Sequence, residues 1–229
     1  YAALGGYFSE EYRSFKMRAR MGLFARLQKK IKNLTLGQYA GYAQKKWWGF
    51  ALYPFSISLA HFPRKVVGGK ILDVGCGSGN FFAVLKGLGW QTYGIDPSPI
   101  AVRVAGERGF VDVRQGYVES CDFPDSFFDV VTLFHVFEHI PNPRPVLEKI
   151  RQLLKPEGVL IIGVPHFSSI GSFLYGKYWA GLSFPLHYFH YDHTSLSSLL
   201  AEYGFTVKKV GYANMVSDIF AASPEGVHS

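Results

Sequence analysis

Ile71-Leu-Asp-Val-Gly-Cys-Gly-Ser-Gly-Asn80 is the stretch that decides the fold of this chain. It begins as a short apolar run and passes into three glycines at alternate positions, Gly75, Gly77 and Gly79. Such a run suits a buried strand. Glycines at that spacing let the chain turn tightly into a helix and let ligand atoms approach bare backbone. On spacing alone the ligand is a dinucleotide or another nucleoside cofactor. A dinucleotide fingerprint places its third glycine at position 80, where Asn80 stands, and the Gly-Lys-Ser/Thr ending of a phosphate-gripping loop is missing. Asp73 lies inside the strand just before the turn, where a carboxylate is costly unless a cationic ligand or the loop's own amides pair it. Asp96 ends the next apolar run, Tyr93-Gly-Ile-Asp96, 21 residues after Gly75. A carboxylate there can accept both hydroxyls of a ribose.

Outward from this turn, apolar runs of strand length alternate with helical patterns. Strands are expected at Lys70–Val74, Gln91–Ile95, Val111–Arg114, Asp129–Phe134 and Val159–Val164, with two more at about Phe205–Val210 and Asp218–Ala222. Helices are expected at Phe81–Leu88, Pro99–Arg108, Pro143–Lys155 and His193–Tyr203. Asn142 and Asp192 stand at capping positions, Pro143 suits a first helical turn, and Gly204 a helix end. The pattern predicts an α/β fold: a doubly wound, mostly parallel seven-stranded sheet buried on both faces.

Composition bounds the rest. With 48% hydrophobic residues the 229-residue chain can bury a sizeable core, and two cysteines cannot staple it. The net charge of +7 is divided unevenly near Val66: residues 1–66 carry +10 and residues 67–229 carry −3. A mildly acidic globule is not the surface a nucleic acid binds, so no nucleic-acid partner is expected. The chain therefore reads as a basic, aromatic N-terminal helical segment (1–66) ahead of a cofactor-binding domain (67–229). In the first segment Tyr12, Phe15, Ala19, Leu23, Leu27 and Ile31 recur at helical steps opposite Arg13, Lys16, Arg20 and Lys30. This helix is read as a packing helix with a solvated charged side, as a lid or substrate cap with Trp47-Trp48, or as a contact with a membrane surface. No apolar run reaches the length of a membrane-spanning helix, and no secretory signal is recognised. A cytoplasmic location with peripheral membrane contact is expected. The chain opens on Tyr1 rather than Met, so native residues preceding it are expected.

Taken together, Leu72-Asp-Val-Gly-Cys-Gly-Ser-Gly79, Asp96, Phe123-Pro-Asp-Ser-Phe-Phe-Asp-Val-Val-Thr-Leu-Phe-His-Val-Phe-Glu-His-Ile140 and Leu154-Lys-Pro-Glu-Gly-Val-Leu160 resemble the motifs of a class I S-adenosylmethionine-dependent methyltransferase. The resemblance covers about Lys70 to Ala222 and extends to ubiquinone-pathway O-methyltransferases. It implies a Rossmann-like domain with S-adenosylmethionine as cofactor and S-adenosylhomocysteine as product. It also implies particular roles. Gly75, Cys76, Gly77 and Gly79 would line the methionine part of the cofactor, with Asp73 steadying the turn. Asp96 would take the ribose hydroxyls and Pro97 would flank the adenine. Gly116-Tyr-Val-Glu119 matches a segment that often reads Gly-Asp-Ala-Glu. Tyr117 replaces its adenine-binding Asp, leaving the Val118 backbone and Glu119 as further adenine contacts. Phe134 and His135 would sit near the sulfur. Pro185-Leu-His-Tyr-Phe-His190 is similar to a Pro-Arg-His-Leu-Tyr-His segment of the same branch, with Leu186 in place of the Arg.

The histidines allow more than one reading. His135-Val-Phe-Glu-His139 spells the ligand order of inverted zinc proteases, but the letters straddle a strand end and a turn rather than one helix. The resembling O-methyltransferases carry acids and a histidine near Glu138 and His139, yet no metal is assigned from the sequence. His187, His190 and His193 step by three, alongside His166. They are read as acceptor contacts, with His187 or His190 as general base for a hydroxyl, or else as groups that satisfy loop backbone. The abundant aromatic residues favour an apolar or lipid-linked small-molecule acceptor, with a sugar also open. Alternatives are C- or N-methylation, or non-catalytic nucleoside binding on the same scaffold.

Overall fold

The computed structural model describes residues 66–212 and 217–225. The basic helical pattern and Trp47-Trp48 lie outside them. The chain divides into units of residues 1–60 and 61–229, and the described residues belong to the second.

Strand β1 (Lys70–Val74) has Ile71 and Leu72 fully buried, as continuous apolar runs require when a sheet is covered on both faces. The chain turns through Gly75–Gly79 into α1 (Asn80–Gly87), returns as β2 (Gln91–Asp96), and continues through α2 (Pro99–Glu107) to β3 (Val113–Gln115). After a 3-10 turn at Val118–Ser120 come β4 (Phe128–Phe134), a second 3-10 turn (Phe137–His139), α3 (Pro143–Leu153) and β5 (Leu154–Pro165). A short helix α4 (Ile170–Tyr175), a third 3-10 turn (Gly176–Tyr178) and α5 (His193–Glu202) lead to β6 (Phe205–Tyr212) and β7 (Ser217–Pro224). The seven strands form one sheet in the order β3-β2-β1-β4-β5-β7-β6. The first five are parallel; β7 inserts antiparallel between β5 and β6. This is the expected doubly wound, mostly parallel sheet.

Helix α3 lays Val146, Leu147, Ile150 and Leu153 onto the core beside Phe128, Leu133 and Leu160. Each such side chain contributes about 1.5–3 kcal/mol when fully buried. Chain order reverses at β1, whose neighbours are β2 and β4, so a crevice opens at the carboxyl ends of these strands, where open α/β sheets bind ligands. Because β7 runs antiparallel to β5, with Pro165 opposite Ser217 and Val164 opposite Asp218, the start of β7 lies at this same edge. So do the Gly75–Gly79 turn, Asp96, the turn after β4, and His166.

Local differences from the expected elements have physical causes. Strand β3 begins at Val113 rather than Val111, which is 89% exposed and lies outside the ladder. Helix α3 ends at Leu153 because Leu154 already pairs with Phe128 across an irregular register at the start of β4. Asn142 occupies the cap position in extended backbone, but its side chain makes no capping bond, leaving Pro143 to start the helix. Asp192 does cap α5, in a reciprocal capping box with Ser195. Helix α4 has no counterpart among the expected elements. No helix among the described residues is long and apolar enough to cross a membrane.

Candidate functional site

The glycine turn is held to β2 by backbone. Gly75 N–H donates to Ile95 O at 2.8 Å, and Gly79 N–H to Cys76 O at 3.0 Å. Gly75, Gly77 and Gly79 all have positive φ (74°, 53° and 75°). Two of them are needed for different reasons. A Cβ on Gly75 would sit 2.3 Å from Val136 Cγ2, whereas one on Gly77 would meet nothing within 4 Å. Gly75 is therefore demanded by packing, and Gly77 borders open space at the carboxyl edge of the sheet.

Asp96 fastens this turn to the next. Its Oδ2 accepts from Gly77 N–H at 2.8 Å and its Oδ1 from Ser98 N–H at 2.9 Å. Burial raises its pKa, and these two amide bonds oppose the rise. A carboxylate has about four acceptor sites, so it can hold both amides and still accept from a ligand's hydroxyls. Asp73 is different. Its Oδ1 accepts from Thr132 Oγ1 at 2.7 Å, directly across the β1–β4 ladder. Burial pushes its carboxyl up to about 7, with Thr132 opposing and Asp96 adding to the rise. Of the two partners read for Asp73, a cationic ligand or the loop amides, the amide of Gly77 goes instead to Asp96, and Thr132 is the partner Asp73 has. The Cys76 thiol is buried and its pKa raised by that burial and by Asp73 and Asp96. What Cys76 offers a ligand is its backbone.

Pro97 is exposed after β2, Tyr117 is half-buried, Val118 buried and Glu119 exposed. Phe134 packs edge-on against Phe81 at 5.3 Å. His135 follows β4 directly, with φ +54° and an exposed ring, and its N–H donates to Gly163 O at 2.8 Å. The turn Phe137–His139 then buries Glu138 to 1% exposure. The protease-like letters therefore lie on a strand end and a 3-10 turn, as read from the sequence.

The remaining histidines among the described residues divide into two groups. His187 Nδ1 donates to Gly181 O at 2.7 Å and His190 Nε2 to Leu182 O at 3.0 Å. Both rings thus satisfy loop carbonyls, one of the two alternatives read from the sequence. His187 and His139 rings meet edge-to-face at 4.7 Å. His193 is not a loop residue: it begins α5, stacks on His166 with ring centroids 4.6 Å apart, and shares Asp218 with it. Asp218 Oδ2 lies 2.6 Å from His193 Nε2 and 2.8 Å from His166 Nδ1. One residue beyond His166 a cavity of about 480 Å³ begins, lined chiefly by Phe167, Phe173, Trp179, Leu182 and Ser172.

Comparison with known proteins decides the family. Residues 49–210 match the sequence profile of a family described as a methyltransferase domain. The chain belongs to this family. It is a class I S-adenosylmethionine-dependent methyltransferase by sequence and fold, and S-adenosylmethionine is its cofactor. A ubiquinone biosynthesis O-methyltransferase of Xanthomonas oryzae is 32% identical over 141 residues, 56% of this chain and 59% of that protein. The chain spans between 37% and 59% of the length of such relatives. Among solved structures, a Thermotoga maritima S-adenosylmethionine-dependent methyltransferase, described as a possible histamine N-methyltransferase, shares the fold with TM-score 0.61. It is 20% identical, over 86% of this chain and 99% of that one. The [4+2]-cyclase SpnF is likewise similar in fold: TM-score 0.61, 18% identity, 87% and 95% covered.

Sequence reasoning missed Thr132, although a lone threonine in the apolar run Phe128–Phe134 signals a polar partner within the sheet. It also missed Asp218, whose importance appears only when β7 is placed beside β5.

Proposed function

We propose that this methyltransferase moves a methyl group from S-adenosylmethionine to a hydroxyl of a small, apolar or lipid-linked acceptor. The observation that carries the reading is the junction of Gly77 and Asp96: a positive-φ glycine facing open space, its amide fixed by a buried carboxylate at a ribose-accepting position. Asp73, Gly75, Cys76, Gly77 and Gly79 would line the methionine end, with Phe134 and His135 at the sulfur. Asp96 would take the ribose, while Pro97, Tyr117, Val118 and Glu119 would surround the adenine. The hydroxyl acceptor is supported by the O-methylation named for the relatives, and its apolar character by the aromatic cavity after β5.

The sulfonium is already an activated electrophile, so orientation and proximity supply most of the rate. A hydroxyl acceptor must also lose a proton. His187 and His190 each donate one N–H to a carbonyl, so the other ring nitrogen carries the lone pair in the neutral ring, the form a base needs. Burial lowers the His187 pKa, against opposing contributions from Gly181 O and Glu138, and favours that neutral form. A cytoplasmic location, and peripheral membrane contact through residues 1–66, belong to the same proposal. The test is incubation of extracts with methyl-labelled cofactor and the purified chain. A labelled methoxy product seen by mass spectrometry supports the reading. Label on carbon or nitrogen moves it to another acceptor atom, and cofactor binding without any labelled product leaves the non-catalytic alternative.

A further inference from the structure

We infer that His166, His193 and Asp218 form a binding site for a divalent ion of the zinc class, which clasps both ends of the cavity-lining loop. One ligand atom from each of these residues lies within 4.8 Å of the other two. Asp218 Oδ2 is their focus, 2.6 Å from His193 Nε2 and 2.8 Å from His166 Nδ1. Nitrogen and carboxylate ligands stand about 2.0–2.2 Å from zinc, which sets neighbouring ligand atoms roughly 2.9–3.4 Å apart. Small outward shifts of the two rings therefore admit an ion between them and Oδ2.

The charge of the group favours that ion. Asp218 is 2% exposed. Two imidazoles can each donate an N–H to its carboxylate, but a neutral ring brings no positive charge. A buried carboxylate is strongly unfavourable unless a cation compensates it. A divalent ion supplies the charge in the space those two protons take. Each neutral ring then carries its proton on the other nitrogen, Nε2 in His166 and Nδ1 in His193. Two imidazoles and a carboxylate are a ligand set that zinc accepts with a further position left open.

Backbone and packing hold the ligands together in advance. His166 follows β5, Asp218 lies opposite Val164 in the β5–β7 ladder, and His193 opens α5. Phe167 N–H donates to Tyr191 O at 2.8 Å, closing the neck of the loop between the two histidines. The capping box of Asp192 and Ser195 fixes the start of α5. The imidazole planes are 11° apart, and His193 meets the buried Phe220 edge-on at 5.4 Å. The His193 side chain is 38% exposed, which gives an ion access from solvent. Phe167, Phe173, Trp179 and Leu182 of the cavity wall all lie between the two histidines in sequence, so an ion here braces that wall at both ends.

The experiment uses the full chain, stripped with chelator and titrated with Zn²⁺ or Mg²⁺ by calorimetry, with Co²⁺ absorption as a second readout. Two imidazole nitrogens and one carboxylate oxygen suit Zn²⁺ and Co²⁺, whereas Mg²⁺ prefers oxygen ligands. One Zn²⁺ equivalent should weaken by about 100-fold or more in His166→Ala and in His193→Ala, beyond what loss of an outer partner does. The double variant should lose no further equivalent, and the Co²⁺ bands of this equivalent should vanish with it. Mg²⁺ should bind this site at least about 100-fold more weakly. His190→Ala, whose ring bonds Leu182 O within the loop, should keep the equivalent. S-adenosylhomocysteine affinity, measured on the same samples, reports separately on the cofactor site and on folding. The inference is overturned by absence of Zn²⁺ binding in wild type that still binds S-adenosylhomocysteine. Zn²⁺ affinity unchanged in both histidine variants, or weakened as much in His190→Ala, overturns it as well.

Discussion

The cofactor end of the crevice is assembled from 26 consecutive residues, Ile71 to Asp96, whereas the histidine-lined end draws on His139, His166, His187, His193 and Asp218, up to 79 residues apart. The first is held by backbone: two strands, one turn and one helix fix the glycine amides, and a single carboxylate locks Gly77 and Ser98 in place. The second is held by side chains reaching between β5, β7, α5 and the loop before it. A local backbone site leaves a contiguous motif in the sequence. A site made by sheet topology leaves scattered letters whose partners appear only after folding.

The comparison can be broken most severely at the glycines. Gly77→Val should abolish measurable S-adenosylhomocysteine binding, a loss of about 100-fold or more, because a branched side chain fills the space beside the turn. The fold should survive, with strain at positive φ on the order of 1–2 kcal/mol. Gly75→Val should lose binding and fold together, since its Cβ would overlap Val136. Circular dichroism beside calorimetry separates the two. If both variants fold and bind, the turn is not where the cofactor lies.

Asp96→Ala comes next. Removing charge-assisted hydrogen bonds worth about 1.5–3 kcal/mol each should weaken cofactor binding by roughly tenfold or more. An unchanged dissociation constant would place the ribose elsewhere.

Asp73 sharpens the comparison through pH. Its carboxyl titrates at about 7 in the folded chain against a usual 3.8, so the folded state holds a proton that the unfolded state has released. Its contribution to stability is fully present below about pH 4 and is lost as pH rises through 7, an effect on the order of a few kcal/mol. Asp73→Asn should flatten this fall in melting temperature between about pH 4 and 7. A parallel fall in the variant would assign the dependence to other groups.

The smallest expected effect is the most discriminating between the two ends. Asp218→Asn should leave S-adenosylhomocysteine affinity within about twofold while lowering stability by about 1–3 kcal/mol, because the group shared by His166 and His193 loses its negative charge. A large loss of cofactor affinity would show that the two ends are energetically one site.

How much was legible in the sequence follows the same division. The sheet and its strand number could be read because each parallel strand is a continuous apolar run bounded by glycine or a helix cap. Asp96 could be placed because its distance from Gly75 is set by one βαβ unit. Asp73 was placed in its strand, but Thr132 was not foreseen as its partner, since it lies across a ladder whose register no local pattern states. The even spacing of His187, His190 and His193 suggested one cluster. Helix α5 instead begins at His193 and carries it to Asp218, while backbone bonds fold His187 onto the turn at Glu138. Residues 1–65, including the basic helical pattern, remain an expectation drawn from charge and periodicity alone.

The central claim, that the Gly75–Gly79 turn and Asp96 bind the adenosyl cofactor, is tested most directly by calorimetric titration of the full chain with S-adenosylhomocysteine and, separately, with NAD. The account predicts saturable binding of one S-adenosylhomocysteine per chain, lost in Gly77→Val, and no heat with NAD. Binding of NAD without binding of S-adenosylhomocysteine would contradict it.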